Sequence, residues 1–469
     1  MTAAASPSRR LGASQPQALT RQVLTRIVAA AVALLVVGSV KAERLTPEIA
    51  NWTGPGSAPV YFIAARQLPI VDIRLVFDAG SARDGDTPGA AQLVTRALDQ
   101  GTEQTDADTI ARRLEDAGAR LSTSVHRDRA EIHLRSLSEP QALEEGVATL
   151  EEILAGPAFR DSDVDRIRGQ MEQDLRAERQ SASAMAQRAL YQAMYGNHPY
   201  ASPPSGTQEG LAALDPERAR AFYERHYVAA NAGAAIVGDL EQEDAEAIVE
   251  RLLGALETGE PAPDLPAAPE EPAEREIRLQ IPSSQTALVM GLPAVARGEE
   301  ATEYPLRVVN QAFGGGGLVS RLHQAMREDR GLSYSTSSRL NVLPARGPWL
   351  IQSTVRADRA EEALEVLQDE VQRLVDEGLP DEEIEAAIRH LTGAFPLSLA
   401  SNNALSAQLA VLVAHGLPTD HLDQYIPRME AVDGPAIREA LADRLRPERM
   451  VTVIAGPDVD EPDHEVEAE

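Results

Sequence analysis

The chain has 469 residues, 43% hydrophobic and 25% charged, the balance of a folded protein with room for two domain-sized cores. A formal net charge of −29 repels phosphate backbones and argues against a nucleic-acid partner. The absence of cysteine excludes disulfides, thiolate metal sites and cysteine nucleophiles.

In chain order, Arg21 and Arg26 precede an apolar run at residues 27–37, which ends in GSVKA. Val40 and Ala42 supply the small residues of a secretory cleavage site. The run is shorter than the ~20 apolar residues of a spanning helix. The leader ahead of it is long for a signal peptide. Residues 1–42 therefore read as a signal peptide or, if uncleaved, a membrane anchor, and the expected location is the periplasm.

Residues 60–65 and 70–77 read as strands. In IVDIRLVF, Val71, Ile73, Leu75 and Phe77 alternate with Asp72 and Arg74, so one face is apolar and the other polar. Pro88 suits the first turn of a helix whose buried stripe is Ala91, Leu93, Val94, Ala97 and Leu98. A second helix follows at residues 107–117, then two strands around a turn near Arg127 and Asp128, then helices at 139–154 and 162–179. Residues 257–276, ETGEPAPDLPAAPEEPAERE, carry proline and acid at a density that favours an extended, solvated linker. The boundaries are then 43–256 for a first domain, 257–276 for the linker, 277–457 for a second domain and 458–469 for an acidic tail.

The second half repeats the order of the first: a strand at 286–291, a helix at 304–312, a strand at 348–355, and amphipathic helices at 359–377 and 380–392. MVTVIAGP near the end mirrors AGAAIVGD in the first half. A period near 200 residues indicates a duplicated domain rather than a short-repeat solenoid.

Inside this second half lies FGGGGLVSRLHQAMREDRGLSYSTSSRL, residues 313–340. Gly314, Gly315, Gly316 and Gly317 open backbone angles closed to other residues and permit close approach. Leu318, Leu322, Ala325 and Met326 then recur at helical spacing, and Gly331 stops the helix. Leu332, Tyr334, Thr336 and Ser338 alternate as one face of a strand. The run GGGG-x2-SRL-x3-MRE-x-RGLSYS resembles the second-domain signature of the pitrilysin, insulysin and mitochondrial processing peptidase family of zinc proteases. The segment YGNHPYASPPSGT resembles the first-domain pattern of the same family.

The resemblance implies an α+β fold of two homologous domains, each a mostly antiparallel sheet backed by helices, enclosing a substrate chamber. It also implies a zinc motif, H-x-x-E-H, on the first domain's first helix, with a glutamate ligand from a later helix. Gly89 and Gly101-Thr102 fix the register, and the motif positions fall on Gln92, Thr95 and Arg96. A glutamine amide is a poor zinc ligand, a threonine hydroxyl is no base near neutral pH, and a guanidinium repels a divalent cation. Glu172 and Asp174 remain on the later helix, but one carboxylate does not hold zinc. No two of the nine histidines stand at i,i+3 or i,i+4. His126 and His133 facing each other across a hairpin, or His198 in the HPY turn, are better read as ordinary polar or hydrogen-bonding residues than as ligands.

No catalytic or metal-ligating residue is therefore expected in this chain. The resemblance points instead to a non-catalytic subunit that pairs with a separate zinc-bearing peptidase, the zinc lying in that partner. Arg330 and Tyr334, with Gly314–Gly317, would then contact the peptide substrate beside the partner's metal. The plainer alternatives are that Arg330 pairs with an acid such as Glu328 while Tyr334 simply packs, and that the chain is an inert scaffold. A self-sufficient hydrolase would need another catalytic set, and no G-x-S-x-G elbow is present.

Overall fold

The computed structural model describes residues 46–272 and 275–457, with Thr2. The expected export segment, residues 1–42, and the acidic tail, residues 458–469, lie outside the described residues.

The first half carries strands β1 (Ala50–Thr53), β2 (Pro59–Ala64), β3 (Ile70–Phe77), β4 (Arg120–Val125), β5 (Ala130–Leu137) and β6 (Ala232–Gly238). They form one sheet in the order β1-β2-β6-β3-β5-β4. All neighbours are antiparallel except β2 and β6. Its helices are α1 (Ala90–Ala97), α2 (Ala107–Asp116), α3 (Pro140–Ala155), α4 (Asp161–Glu178), α5 (Ala182–Tyr195), α6 (Gln208–Ala213), α7 (Pro216–His226) and α8 (Gln242–Gly254).

The second half carries β7 (Glu276–Gln280), β8 (Gln285–Val295), β9 (Ser333–Leu340), β10 (Gly347–Arg356) and β11 (Val451–Gly456), ordered β7-β11-β8-β10-β9. Only β7 and β11 run parallel. Its helices are α9 (Glu300–Asn310), α10 (Arg321–His323), α11 (Ala360–Glu377), α12 (Asp381–Ala394), α13 (Asn402–Ala414), α14 (His421–Glu430) and α15 (Gly434–Arg444). Strand for strand, 7-11-8-10-9 repeats 2-6-3-5-4, so the duplication read from the sequence is a duplication of topology. The fold is α+β, with two sheets each backed by helices.

The halves are joined by an exchange of helices. In α5 of the first half, Leu190, Met194 and Tyr195 pack with Ala287, Val289, Val451 and Val453 of the second sheet. In return α13 of the second half lies on β6 and β3 of the first sheet. This exchange corrects the expected two-faced β3. Asp72 is fully buried, because the face opposite the apolar core is covered rather than wet. Burial of that carboxylate is offset by His133 (2.7 Å) and Arg135 (3.0 Å). Arg74 reaches across to α13, donating to Ser406 at 2.9 Å and pairing with Glu131 and Asn403.

One further expectation changes. Helix α1 begins at Ala90, so Pro88 precedes it and Gly89, at φ 107°, is the cap. Residues 257–272 form neither helix nor strand and are mostly exposed, with a few ties to the first half. Ala229 and Ala230 donate to the carbonyls of Glu257 and Thr258, and Ala262 N donates to Asn231 Oδ1. Leu265 and Ala268 pack against the core cluster that includes Tyr195 and Tyr200. Finally, His126 and His133 do not face each other. Ser122 stands opposite His133, whose Nε2 is 2.7 Å from Asp72.

Candidate functional site

Gln92, Thr95 and Arg96 lie on α1, which Asp84 holds at its start by accepting from Gly89 N and Ala91 N, each at 2.8 Å. Burial pushes the Asp84 carboxyl up to about 7. The Gly206-Thr207 pair of the GT pattern belongs to this corner. Thr207 Oγ1 caps α6 by accepting from Gly210 N at 2.9 Å. A Cβ on Gly210 would meet Pro88 O at 2.2 Å, so the chains touch there through glycine alone.

None of the three positions is built for zinc. Thr95 is 2% exposed; its hydroxyl donates to Ala91 O at 2.7 Å and so accepts from the Tyr227 hydroxyl, also at 2.7 Å. Its single proton is thereby committed to the helix backbone. Burial holds the Tyr227 phenol well above its usual range. Gln92 is half-buried, and its amide makes no hydrogen bond among the described residues. Arg96 pairs with Asp174 of α4 at 2.9 Å, while Glu172 of the same helix pairs with Arg176 at 3.4 Å. The first-helix position and the later-helix carboxylate are thus joined to each other by an ion pair. These residues do not fit the metal. No group of three His, Asp or Glu able to hold an ion occurs among the described residues.

His198 is structural: its Nδ1 accepts from Tyr200 N at 3.1 Å, so Nε2 donates to Pro266 O at 2.9 Å. Burial lowers its pKa.

The second-half signature is wound more tightly than a loop. Helix α9 runs on as a π-helix, Gln311–Gly315, before the chain turns at Gly317 with φ 62°. Three of the four glycines have a packing reason. A Cβ on Gly314 would lie 2.5 Å from Ser338 N, on Gly315 2.6 Å from Asn310 Nδ2, and on Gly316 2.7 Å from Gln311 O. Gly317 has open space and needs only its backbone angle. Asn310 fixes this packing, its Oδ1 accepting from Ser338 Oγ at 2.9 Å and Trp349 Nε1 at 3.1 Å.

Leu322, Ala325 and Met326 are buried as expected, but Leu318 is 72% exposed. The turn at Gly317 places Leu318 and Val319 at an outer tip, before the helical stretch begins at Arg321. Gly331, at φ 61°, closes that stretch. The strand that follows does not simply alternate. Val355 stands opposite Ser333 and Thr354 opposite Ser335, so Tyr334 is passed over in a β-bulge. The bulge turns Ser333 inward and Tyr334 outward, leaving Tyr334 82% exposed. The Arg327 guanidinium sits 4.7 Å above its ring. Arg330 is exposed; it donates to Ala325 O at 3.2 Å and pairs with no carboxylate among the described residues. Glu328 instead lies 3.6 Å from His323.

The bulge and the Arg96–Asp174 pair carry no local sequence signal. The paired residues stand 78 positions apart, and only the register set by Gly89 and Gly101 brought both helices under suspicion.

Two family models match the chain: "Insulinase (Peptidase family M16)" over residues 60–208 and "Peptidase M16 inactive domain" over residues 213–391. The crystal structure of a peptidase M16 inactive domain from Pseudomonas fluorescens is similar at 32% identity and TM-score 0.84, covering 88% of this chain and 100% of that one. Among curated relatives, an uncharacterized zinc protease of Streptomyces coelicolor is 25% identical, over 78% of this chain and 80% of its own. The non-peptidase homolog YmxG of Helicobacter pylori is 24% identical, over 75% and 80%. With its topology, its signature segments and these matches, the chain belongs to the M16 (insulinase and pitrilysin) peptidase family.

Proposed function

We propose that this chain is a zinc-free, substrate-binding and regulatory subunit that completes a peptidase by pairing with a zinc-bearing M16 chain. The observation that carries the reading is the Arg96–Asp174 ion pair, 2.9 Å long, which joins a metal-ligand position on α1 to a carboxylate of the later helix. A guanidinium there repels a divalent cation and leaves no ligand set on α1. Meanwhile Arg330 and Tyr334 stay exposed on a rigid helix end and a bulged strand. A guanidinium donates to peptide carbonyls, and a phenol can donate to a developing oxyanion, so both suit a backbone held beside a partner's metal. The names of the relatives, an inactive domain and a non-peptidase homolog, accord with this reading. The apolar run at residues 27–37 supports a periplasmic location, cleaved or anchored.

A second reading, an inert scaffold, is favoured by the glycine run, since each glycine has a structural reason of its own. The two separate in one experiment. Arg330→Ala with Tyr334→Phe is expected to leave assembly with the zinc-bearing partner intact while lowering peptide turnover of the pair at least roughly tenfold, the loss of a transition-state donor. Unchanged turnover would leave the scaffold reading standing.

A further inference from the structure

Helices α9, α12, α13 and α14 line an open cavity of about 350 Å³. Two arginines, Arg297 and Arg307, and two histidines, His390 and His421, line it in a chain of net charge −29; burial lowers the pKa of His421, and no aspartate or glutamate lines the pocket among the described residues. Arg307 is already engaged, holding Glu303 Oε1 through Nε (3.0 Å) and Nη2 (2.7 Å). Arg297 is not. It donates from Nη2 to Val342 O at 2.9 Å, pairs with no carboxylate among the described residues, and keeps a buried Nε without a partner. His421 likewise keeps a buried Nδ1 without a partner. A guanidinium withdrawn from water is costly, and Glu303 and Asp128 favour the charge of Arg297 only through space, neither forming an ion pair with it.

Gln311, Ser398 and Gln408 add neutral polar groups, and Leu391 and Leu412 line the wall with the stacked rings of Phe395 and Tyr425, whose centroids are 4.0 Å apart. A pocket of this size that sets an aromatic and aliphatic wall against convergent polar groups suits a small molecule. We propose that this cavity binds a small monocarboxylate with a compact apolar or aromatic body, the carboxylate facing Arg297 and the body lying against Phe395 and Tyr425. Gln311, the first residue of the π-helix that ends in Gly314 and Gly315, lines the same cavity, so a ligand there touches the helix that leads into the signature segment.

The test is calorimetric titration of the full chain with hydrocinnamate, hydrocinnamyl alcohol and hydrocinnamyl amine. Hydrocinnamate is expected to bind saturably, one per chain, and the alcohol and amine far more weakly. Arg297→Gln should weaken hydrocinnamate roughly ten- to a hundredfold, the loss of a charge-assisted hydrogen bond. Leu391→Trp, which fills the cavity and leaves Arg297 in place, should abolish binding; it decides the matter if the Arg297 variant does not fold. No saturable binding to the unmodified chain, equal binding of carboxylate and alcohol, or undiminished binding by a folded variant would overturn the proposal.

Discussion

Replacing Gly314 by alanine separates the packing of the glycine run from its conformational freedom. A Cβ there would lie 2.5 Å from Ser338 N and 2.6 Å from Ser338 Oγ, where ordinary contact begins near 3.4 Å. Strand β9 or the π-helix must therefore yield by roughly 1 Å in a close-packed interior. Overpacking of this kind costs about 1–3 kcal/mol. The displaced Ser338 hydroxyl also loses its 2.9 Å bond to Asn310 Oδ1, about 1 kcal/mol more. Gly314→Ala should thus destabilise by about 3 kcal/mol. Gly317→Ala meets nothing within 4 Å and carries only the strain of φ 62°, about 1 kcal/mol. Urea unfolding of both variants at unchanged m-value measures the difference. Equal costs, or a larger one at Gly317, would refute the packing argument.

The helix exchange makes a second prediction. Leu190 of α5 is fully buried against the second sheet, so Leu190→Ala should cost about 2–5 kcal/mol. Probes in the two halves should report one shared loss, and a loss confined to one half would contradict the exchange. Acid sensitivity is a third. Burial lowers both His226 and His415 to about 4 in the folded chain, so between pH 6.5 and 4 the unfolded state binds protons that the folded state refuses. The two histidines lose stability as pH falls from about 6.5 toward 4, each with a slope of at most about 1.4 kcal/mol per pH unit, while Asp84, raised to about 7 by burial, holds a proton in the folded state over the same window and offsets one of them. Urea midpoints from pH 7.5 to 4 check this; His415→Gln should flatten the profile, and a flat profile in the unmodified chain would contradict it.

Much of this architecture was legible because it is local. The alternation of IVDIRLVF placed β3, Gly331 placed a helix end, and the echo of AGAAIVGD in VTVIAGP placed the central strands of both sheets. What escaped was decided at long range. Residues 402–414 are apolar nearly all round, which marks a buried helix without saying that the other half's sheet buries it. Asp72 and Arg74 have the spacing of a wet face, and only that helix turns the face inward. Leu318 fitted the helical stripe by spacing, yet the turn at Gly317 intervenes before the helix begins. Tyr334 matched a strand face until the bulge reversed it. At the zinc positions the residue types alone carried the argument, and the structure added what they do instead, an ion pair and a buried hydroxyl bond.

The most direct test of the central claim is zinc content and peptide turnover of the full chain, alone and mixed with a zinc-bearing M16 peptidase encoded beside it. The account predicts a chain that is zinc-free and inert alone yet raises the turnover of its partner. Stoichiometric zinc with turnover by the chain alone would contradict it.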